Sequence, residues 1–250
     1  MDGIFITARL KSTRLPGKAL IDVNGRPLLA YQIERLRTAT DISIIVCTST
    51  NAQDDPLEAF ATEMGCVCFR GSEEDVLDRY LRCAEHHNID RLYIVYADEP
   101  FTDTELLTTT FGQMDPVEKI WVCNDAYPDG VFGYGFTRSA MELANAMKTS
   151  EANEVWGQMV SRLPITIVHN APPYVTNKFA CRLTVDYPED LEAMRRLMVE
   201  LGENYRKVGI PALLRVYQGL GLFDINGFRS ADYQQRLKEQ SELVLGLGSE

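Results

Sequence analysis

The 250-residue sequence has no apolar run approaching the roughly 18–20 residues that a membrane-spanning helix needs, so a membrane partner is not expected. Its N-terminus, Met1-Asp2-Gly3-Ile4-Phe5-Ile6, has no basic stretch leading into a long apolar one, and a cytoplasmic protein is the expectation. Histidine is scarce: His86, His87 and His169 are the only three, and none stands at a metal-ligand spacing. The six cysteines are scattered, only Cys66 and Cys68 being close, with no second pair to complete a site. Reduced, half-buried thiols are therefore expected rather than zinc ligands or disulfides. No Ser-His-Asp or Cys-His arrangement is suggested, and no repeat, low-complexity tract or Pro/Gly/Ser-rich linker divides the chain.

The charge balance is acidic, −11 in total, which speaks against nucleic acid or an anionic membrane as partner. One region runs against it. Within the first 20 residues Arg9, Lys11, Arg14 and Lys18 face Asp2 alone. A basic spot on an acidic protein calls for a local anion.

Periodicity gives the fold class. Continuous apolar or β-branched runs at 3–8, 42–48, 66–69 and 91–96 alternate with helical spacing at 27–38, 57–64 and 75–87. This is the pattern of βαβ units, an α/β fold with a mostly parallel, Rossmann-like sheet covered by helices on both faces. Beyond Asp98 the expected elements are a helix at 103–111, a strand at 119–124 and a glycine-rich strand or hairpin at 130–137. That hairpin should pass close to another backbone or a ligand. Helices at 139–147 and 151–163, strands at 165–169 and 182–185, and a helix at 189–201 follow. The last forty residues read as one helix and an irregular tail. A single domain, 1–250, is the economical reading.

The stretch Ala8-Arg9-Leu10-Lys11-Ser12-Thr13-Arg14-Leu15-Pro16-Gly17-Lys18 carries most of the functional signal. It follows the first buried strand, where an open parallel sheet places its ligands. It offers guanidiniums, ammoniums, hydroxyls and a glycine that lets backbone N–H groups turn toward phosphate. It is neither a Walker A loop nor a dinucleotide fingerprint.

This segment, continued by Leu20 and Gly25-Arg26-Pro27-Leu28, resembles the A-R-x-x-S-T-R-L-P-G-K…G-x-P signature of one family. That family is the cytidylyltransferases of the spore-coat-polysaccharide, CMP-Kdo-synthetase and acylneuraminate type. Three further stretches match in order: residues 69–79 (Phe-Arg-Gly-Ser-Glu-Glu-Asp-Val-Leu-Asp-Arg), Ala97-Asp98-Glu99-Pro100 at the family's G-D-x-P, and residues 182–191 at its R-x-T-V-D-x-P-E-D-L. The resemblance spans roughly residues 3–200.

The resemblance implies a sheet of the nucleotide-diphospho-sugar transferase type and transfer of CMP from CTP to an acidic acceptor, with Mg2+ and release of pyrophosphate. Likened residue by residue, Arg9, Lys18 and Asp98 act in catalysis. Ala8, Arg9, Ser12, Arg14, Lys18, Arg70, Gly71, Ser72 and Asp78 hold the nucleotide, and Asp98 and Asp186 hold the metal. Tyr127, Asp129, Tyr134 and Glu154 face the acceptor. An inserted segment, 130–162, serves acceptor binding and a homodimer. The acceptor expected is a 3-deoxy-octulosonic or nonulosonic acid-like sugar for surface polysaccharide; a small phosphonate or phosphate is the alternative. A glycosyltransferase is disfavoured because Asp98-Glu99-Pro100 is not D-x-D. A non-catalytic relative is a further alternative. The chain departs from the family at Ala97, where glycine is usual, at 131–136, and in the helix around Glu154, which lacks the family's histidine.

Overall fold

The computed structural model describes residues 1–148, 156–174 and 181–244. The chain opens with β1 (Asp2–Thr7) and a short ribbon of β2 (Asp22–Val23) and β3 (Arg26–Pro27). Alternation follows: α1 (Leu28–Ala39), β4 (Ser43–Ser49), α2 (Asp55–Glu63), β5 (Val67–Gly71), α3 (Val76–His86), β6 (Arg91–Tyr96) and α4 (Thr104–Gly112). Next come β7 (Ile120–Cys123), β8 (Tyr134–Thr137), α5 (Arg138–Met147), α6 (Trp156–Val160) and β9 (Thr166–His169). The chain then turns helical, with α7 (Pro188–Leu201), α8 (Ile210–Gly219), α9 (Phe223–Asn226) and α10 (Arg229–Val244). None of the described helices is long and apolar enough to cross a membrane.

The sheet order is β5-β4-β1-β6-β8-β7-β9. Every pairing is parallel except the two made by β8, which runs antiparallel between β6 and β7. Ile4, Phe5 and Ile6 are fully buried, so β1 has no solvent face, as a central parallel strand requires. On one side Phe5, Ile45 and Ile94 pack against Leu77 and Tyr80 of α3 and Met141 of α5. On the other, Ile4, Ile6 and Val46 pack against Leu29 and Ile33 of α1, Leu57 of α2 and Phe111 of α4. A further apolar group joins α7 and α8 to α1 through Leu197, Leu213 and Tyr31. The expected architecture is what the chain adopts.

Glycine makes room for β8. A Cβ on Gly133 would lie 2.4 Å from the Ile94 carbonyl oxygen and 2.6 Å from the Tyr93 ring. Gly133→Ala should therefore cost about 1–3 kcal/mol of stability by overpacking, read from the urea midpoint; an unchanged midpoint would contradict this packing.

Two expectations are corrected. Residues 182–185 form no strand: Leu183 N–H donates to Asp129 O (3.2 Å) and Val185 N–H to Asp98 O (2.9 Å). The segment is buried like a strand, but its backbone bonds to two loops rather than to a ladder. The C-terminal part is not a tail after one helix, for α8, α9 and α10 are three. Of the segment 130–162, residues 149–155, including Glu154, lie outside the described residues. The remainder supplies β8, α5 and α6.

Arg35 on α1 ties the layers together. It is 2% exposed and donates to the carbonyls of Thr102 (2.9 Å), Tyr205 (2.8 Å) and Val208 (2.8 Å). Burial pulls its pKa down to about 10.

Candidate active site

The parallel strands end along one edge, and the loops beyond them enclose a cavity of about 880 Å³. The loop after β1 is fixed at its base. Ala8 N–H donates to Cys47 O (3.1 Å), and Leu10 N–H to buried Asp54 (2.8 Å). The loop turns at Gly17, whose φ of +69° suits a residue without Cβ, and this sets Lys18 at the start of a short helical turn. Arg9 donates to Glu73 O (3.3 Å), and Lys11 pairs with Glu73 (3.0 Å).

Lys18 and two carboxylates form the centre. Its ammonium contacts Asp98 and lies 2.8 Å from Asp186 Oδ1. Arg14 also pairs with Asp186, yet its Nε and Nη1 are buried with no hydrogen-bond acceptor among the described residues. Burial alone would lower the Lys18 pKa, but Asp98 and Asp186 outweigh it and hold it raised. Burial would raise Asp186, and Lys18, Arg14 and Arg182 overcome it to hold that carboxyl below its ordinary range. Asp98 goes the other way, lifted by burial and by Asp186 against the pull of Lys18. Next to it, Glu99 is pushed well above the carboxylate range by burial and by Asp98, Asp129 and Asp186. The two aspartates thus share one cation while differing in their readiness to hold charge.

Asp186 owes its direction to a buried network. Arg182 reaches Asp190 with Nε (2.8 Å) and Nη2 (3.1 Å), and Asp186 Oδ2 with Nη2 (3.1 Å). Asp190 accepts from the N–H groups of Asp186 (2.9 Å) and Tyr187 (3.0 Å), so it fastens the start of α7. Because Asp190 takes those N–H groups, the Asp186 carboxylate faces Lys18 instead.

The far wall is aromatic: Trp121, Phe132, Tyr134 and Trp156 line the cavity, with the Tyr134 and Trp156 rings 5.2 Å apart. Cys123 and His169 are register partners on β7 and β9, and with Asp125 they place ligand-type atoms within 4.8 Å of one another. Spacing along the chain does not reveal that juxtaposition, which parallel pairing creates. All six cysteines are free.

Of the expected site residues, Ala8, Arg9, Ser12, Arg14, Lys18, Asp98, Asp129, Tyr134 and Asp186 line this cavity. Others do not, and the reasons are local. Arg70 turns away to Asp55 (2.6 Å) and Glu58 (2.9 Å) on α2. Asp78 pairs with Arg82 (3.3 Å), and Ser72 Oγ accepts from Asp75 N–H (3.0 Å). Gly71 allows close packing of Arg79, whose Cγ would stand 2.9 Å from an added Cβ. Tyr127 is buried and donates its hydroxyl to Ala171 O (3.3 Å). Within that motif Glu73, Glu74, Val76 and Arg79 reach the cavity, and of these Arg79 is a buried cation that bonds to Ser72 O (2.7 Å) and Thr7 Oγ1 (3.2 Å). Its place on the apolar stripe of α3, between Val76 and Cys83, was the available signal. Trp121, Trp156, Glu99, Tyr233 and Arg236 were also missed; all five line the cavity.

Known proteins share this frame. The family profile described as Cytidylyltransferase matches residues 4–127. The spore coat polysaccharide biosynthesis protein SpsF of Bacillus subtilis is 30% identical over 216 residues, covering 79% of this chain and 86% of its own. The 3-deoxy-manno-octulosonate cytidylyltransferase of Hahella chejuensis is 32% identical over 108 residues, 42% of each chain. A solved cytidylyltransferase from Leptospira borgpetersenii superposes with a TM-score of 0.81 at 24% identity, covering 90% of this chain and 97% of that one. With this fold, this loop and these relatives, the chain belongs to the cytidylyltransferase family and is a CTP-dependent nucleotidyltransferase.

Proposed function

We propose that the protein joins CTP to a small acidic acceptor of surface-glycan type, a 3-deoxy-octulosonic or nonulosonic acid-like sugar, with Mg2+ as cofactor. The observation that carries this reading is the convergence of Asp98 and Asp186 on Lys18 at the mouth of the basic loop. An acceptor hydroxyl oxygen bonds to the α-phosphorus of CTP, the bond from that phosphorus to the bridging oxygen breaks, pyrophosphate leaves and the hydroxyl proton is released. Arg9, Arg14 and Lys18, with Ala8 and Ser12, hold the triphosphate. The unsatisfied Nε and Nη1 of Arg14 are donors awaiting an anion. Lys18 supplies a compact charge able to follow the leaving group.

The carboxylate pair suits magnesium, since both oxygens that meet at Lys18 are hard donors. Asp98 and Asp186 would hold the ion, which when bound neutralises charge on the phosphate oxygens. Asp129 and Tyr134, which line the same cavity, would face the acceptor. The names of the Bacillus and Hahella relatives support an acid destined for surface polysaccharide.

Pyrophosphate release tests the proposal, with CTP, UTP, ATP and GTP each offered against acidic sugars and small phosphonates in the presence of magnesium. Release with CTP and a sugar acid is expected. Release with a phosphonate alone would keep the chemistry and replace the acceptor. Absence of CTP binding would overturn the reading.

A further inference from the structure

Helix α10 lies after the profile match, which ends at residue 127, and after the motifs, which end near residue 200. It nevertheless reaches the cavity. Tyr233 and Arg236, one turn apart, line the same space as Lys18, Asp98 and Asp186. The helix is seated by the network that aims Asp186. Buried Asn226, at the end of α9, donates to Arg182 O (3.0 Å) and Asp190 Oδ1 (3.0 Å). Arg229, at the first turn of α10, grips Glu189 through Nη2 (2.8 Å) and Nε (3.2 Å). The Arg182 guanidinium lies 5.3 Å from the centre of the Tyr233 ring.

Arg236 differs from the other cations of the cavity. Arg14 and Lys18 are ion-paired with Asp186, Lys11 with Glu73, and Arg79 is bonded to Ser72 and Thr7. Arg236 rests on the Tyr233 ring, 5.4 Å from its centre. Among the described residues no carboxylate pairs with it, and its Nε is buried without a hydrogen-bond acceptor. A guanidinium placed beside an aromatic ring, with its fork unfilled, is ready for a planar or tetrahedral oxyanion. The carboxyl groups of Asp186, Glu99, Asp129 and Asp98 line the same cavity as Tyr233 and act on it electrostatically, so an acidic acceptor needs a countercharge on this side. The basic loop serves the triphosphate.

We propose that Tyr233 and Arg236 of α10 recognise the acceptor's oxyanion, carboxylate or phosphonate, by a hydroxyl donor beside a guanidinium fork. This rests on the reading above that the cavity joins CTP to an acidic acceptor. Burial raises the Tyr233 pKa, so the phenol keeps the proton it donates.

The test is calorimetric titration of the full chain, saturated with magnesium and a non-transferable methylene analogue of CTP. The probes are 3-deoxy-manno-octulosonate, N-acetylneuraminate and 2-aminoethylphosphonate; the acid that binds distinguishes carboxylate from phosphonate. Arg236→Ala should weaken that acid by about tenfold or more, and Tyr233→Phe by about threefold, with the Kd of the CTP analogue changing less than about twofold. Arg236→Lys should recover part of the loss, because charge survives and the fork does not. Arg236 is partly exposed, and equal melting temperatures verify that the variants fold. Unchanged acid binding in Arg236→Ala, equal weakening of acid and nucleotide, or no probe binding to a CTP-competent wild type would each overturn the proposal. Failure of the wild type to bind the CTP analogue is a separate result, which removes the underlying reading and this proposal with it.

Discussion

Asp98→Asn leaves CTP binding measurable and lowers turnover by about 100-fold or more, equivalent to about 2.7 kcal/mol at the barrier. The substitution is isosteric, so the cavity wall keeps its shape. Folding should tolerate it, because the surroundings already resist a charge here: burial and Asp186 lift the Asp98 pKa against the attraction of Lys18. What disappears is an anionic oxygen. Lys18 keeps Asp186 at 2.8 Å but loses its second carboxylate, and the proposed Mg2+ loses one of two charged ligands. The triphosphate grip of Arg9 and Arg14 is untouched, so affinity should fall far less than rate. Pyrophosphate release at saturating CTP and magnesium checks this. Near-normal turnover would sink the metal assignment of Asp98.

Arg182→Ala should destabilise the protein by about 3 kcal/mol, the low end of what breaking a buried ion pair costs. Arg182 is 1% exposed and its guanidinium joins Asp190 to Asp186. The two acids are not left bare. Asp190 still accepts from the backbone of Asp186 and Tyr187 and from Asn226, and Asp186 keeps Lys18 and Arg14. Those remaining bonds argue for the smaller figure. In a chain of this length the melting temperature should fall by about 6–12 °C. A fall below about 2 °C would mean that Arg182 contributes to placing Asp186 but little to stability.

The sheet was legible because β1, β4 and β6 are continuous apolar runs between helical stripes, and burial on both faces leaves no other pattern. The basic loop was legible because position after a first strand and charge agree. Residues 182–185 misled because burial on every side looks the same whether backbone bonds go to a ladder or to loops. Arg70 stays out of the cavity for an electrostatic reason: its partners Asp55 and Glu58 sit on α2, and chain order does not announce that they turn this β5 side chain outward. Tyr233 and Arg236 carried no signal of their own, since they reach the cavity only when α10 docks on the Arg182 network.

Arg35 bears on how the chain is made. Its guanidinium is buried in α1, yet two of its three carbonyl acceptors, Tyr205 and Val208, come some 170 residues later. A ribosome adding roughly 5–20 residues per second takes roughly 9–35 s to cover that distance. Throughout that interval the nascent N-terminal half has a cation that it cannot bury without leaving donors unmet. The face of α1 that carries Arg35 should therefore stay hydrated until the C-terminal segment emerges, even though Leu29 and Ile33 on its other face can already pack on the first strands. Synthesis of the last fifth of the chain is thus what permits that face to close.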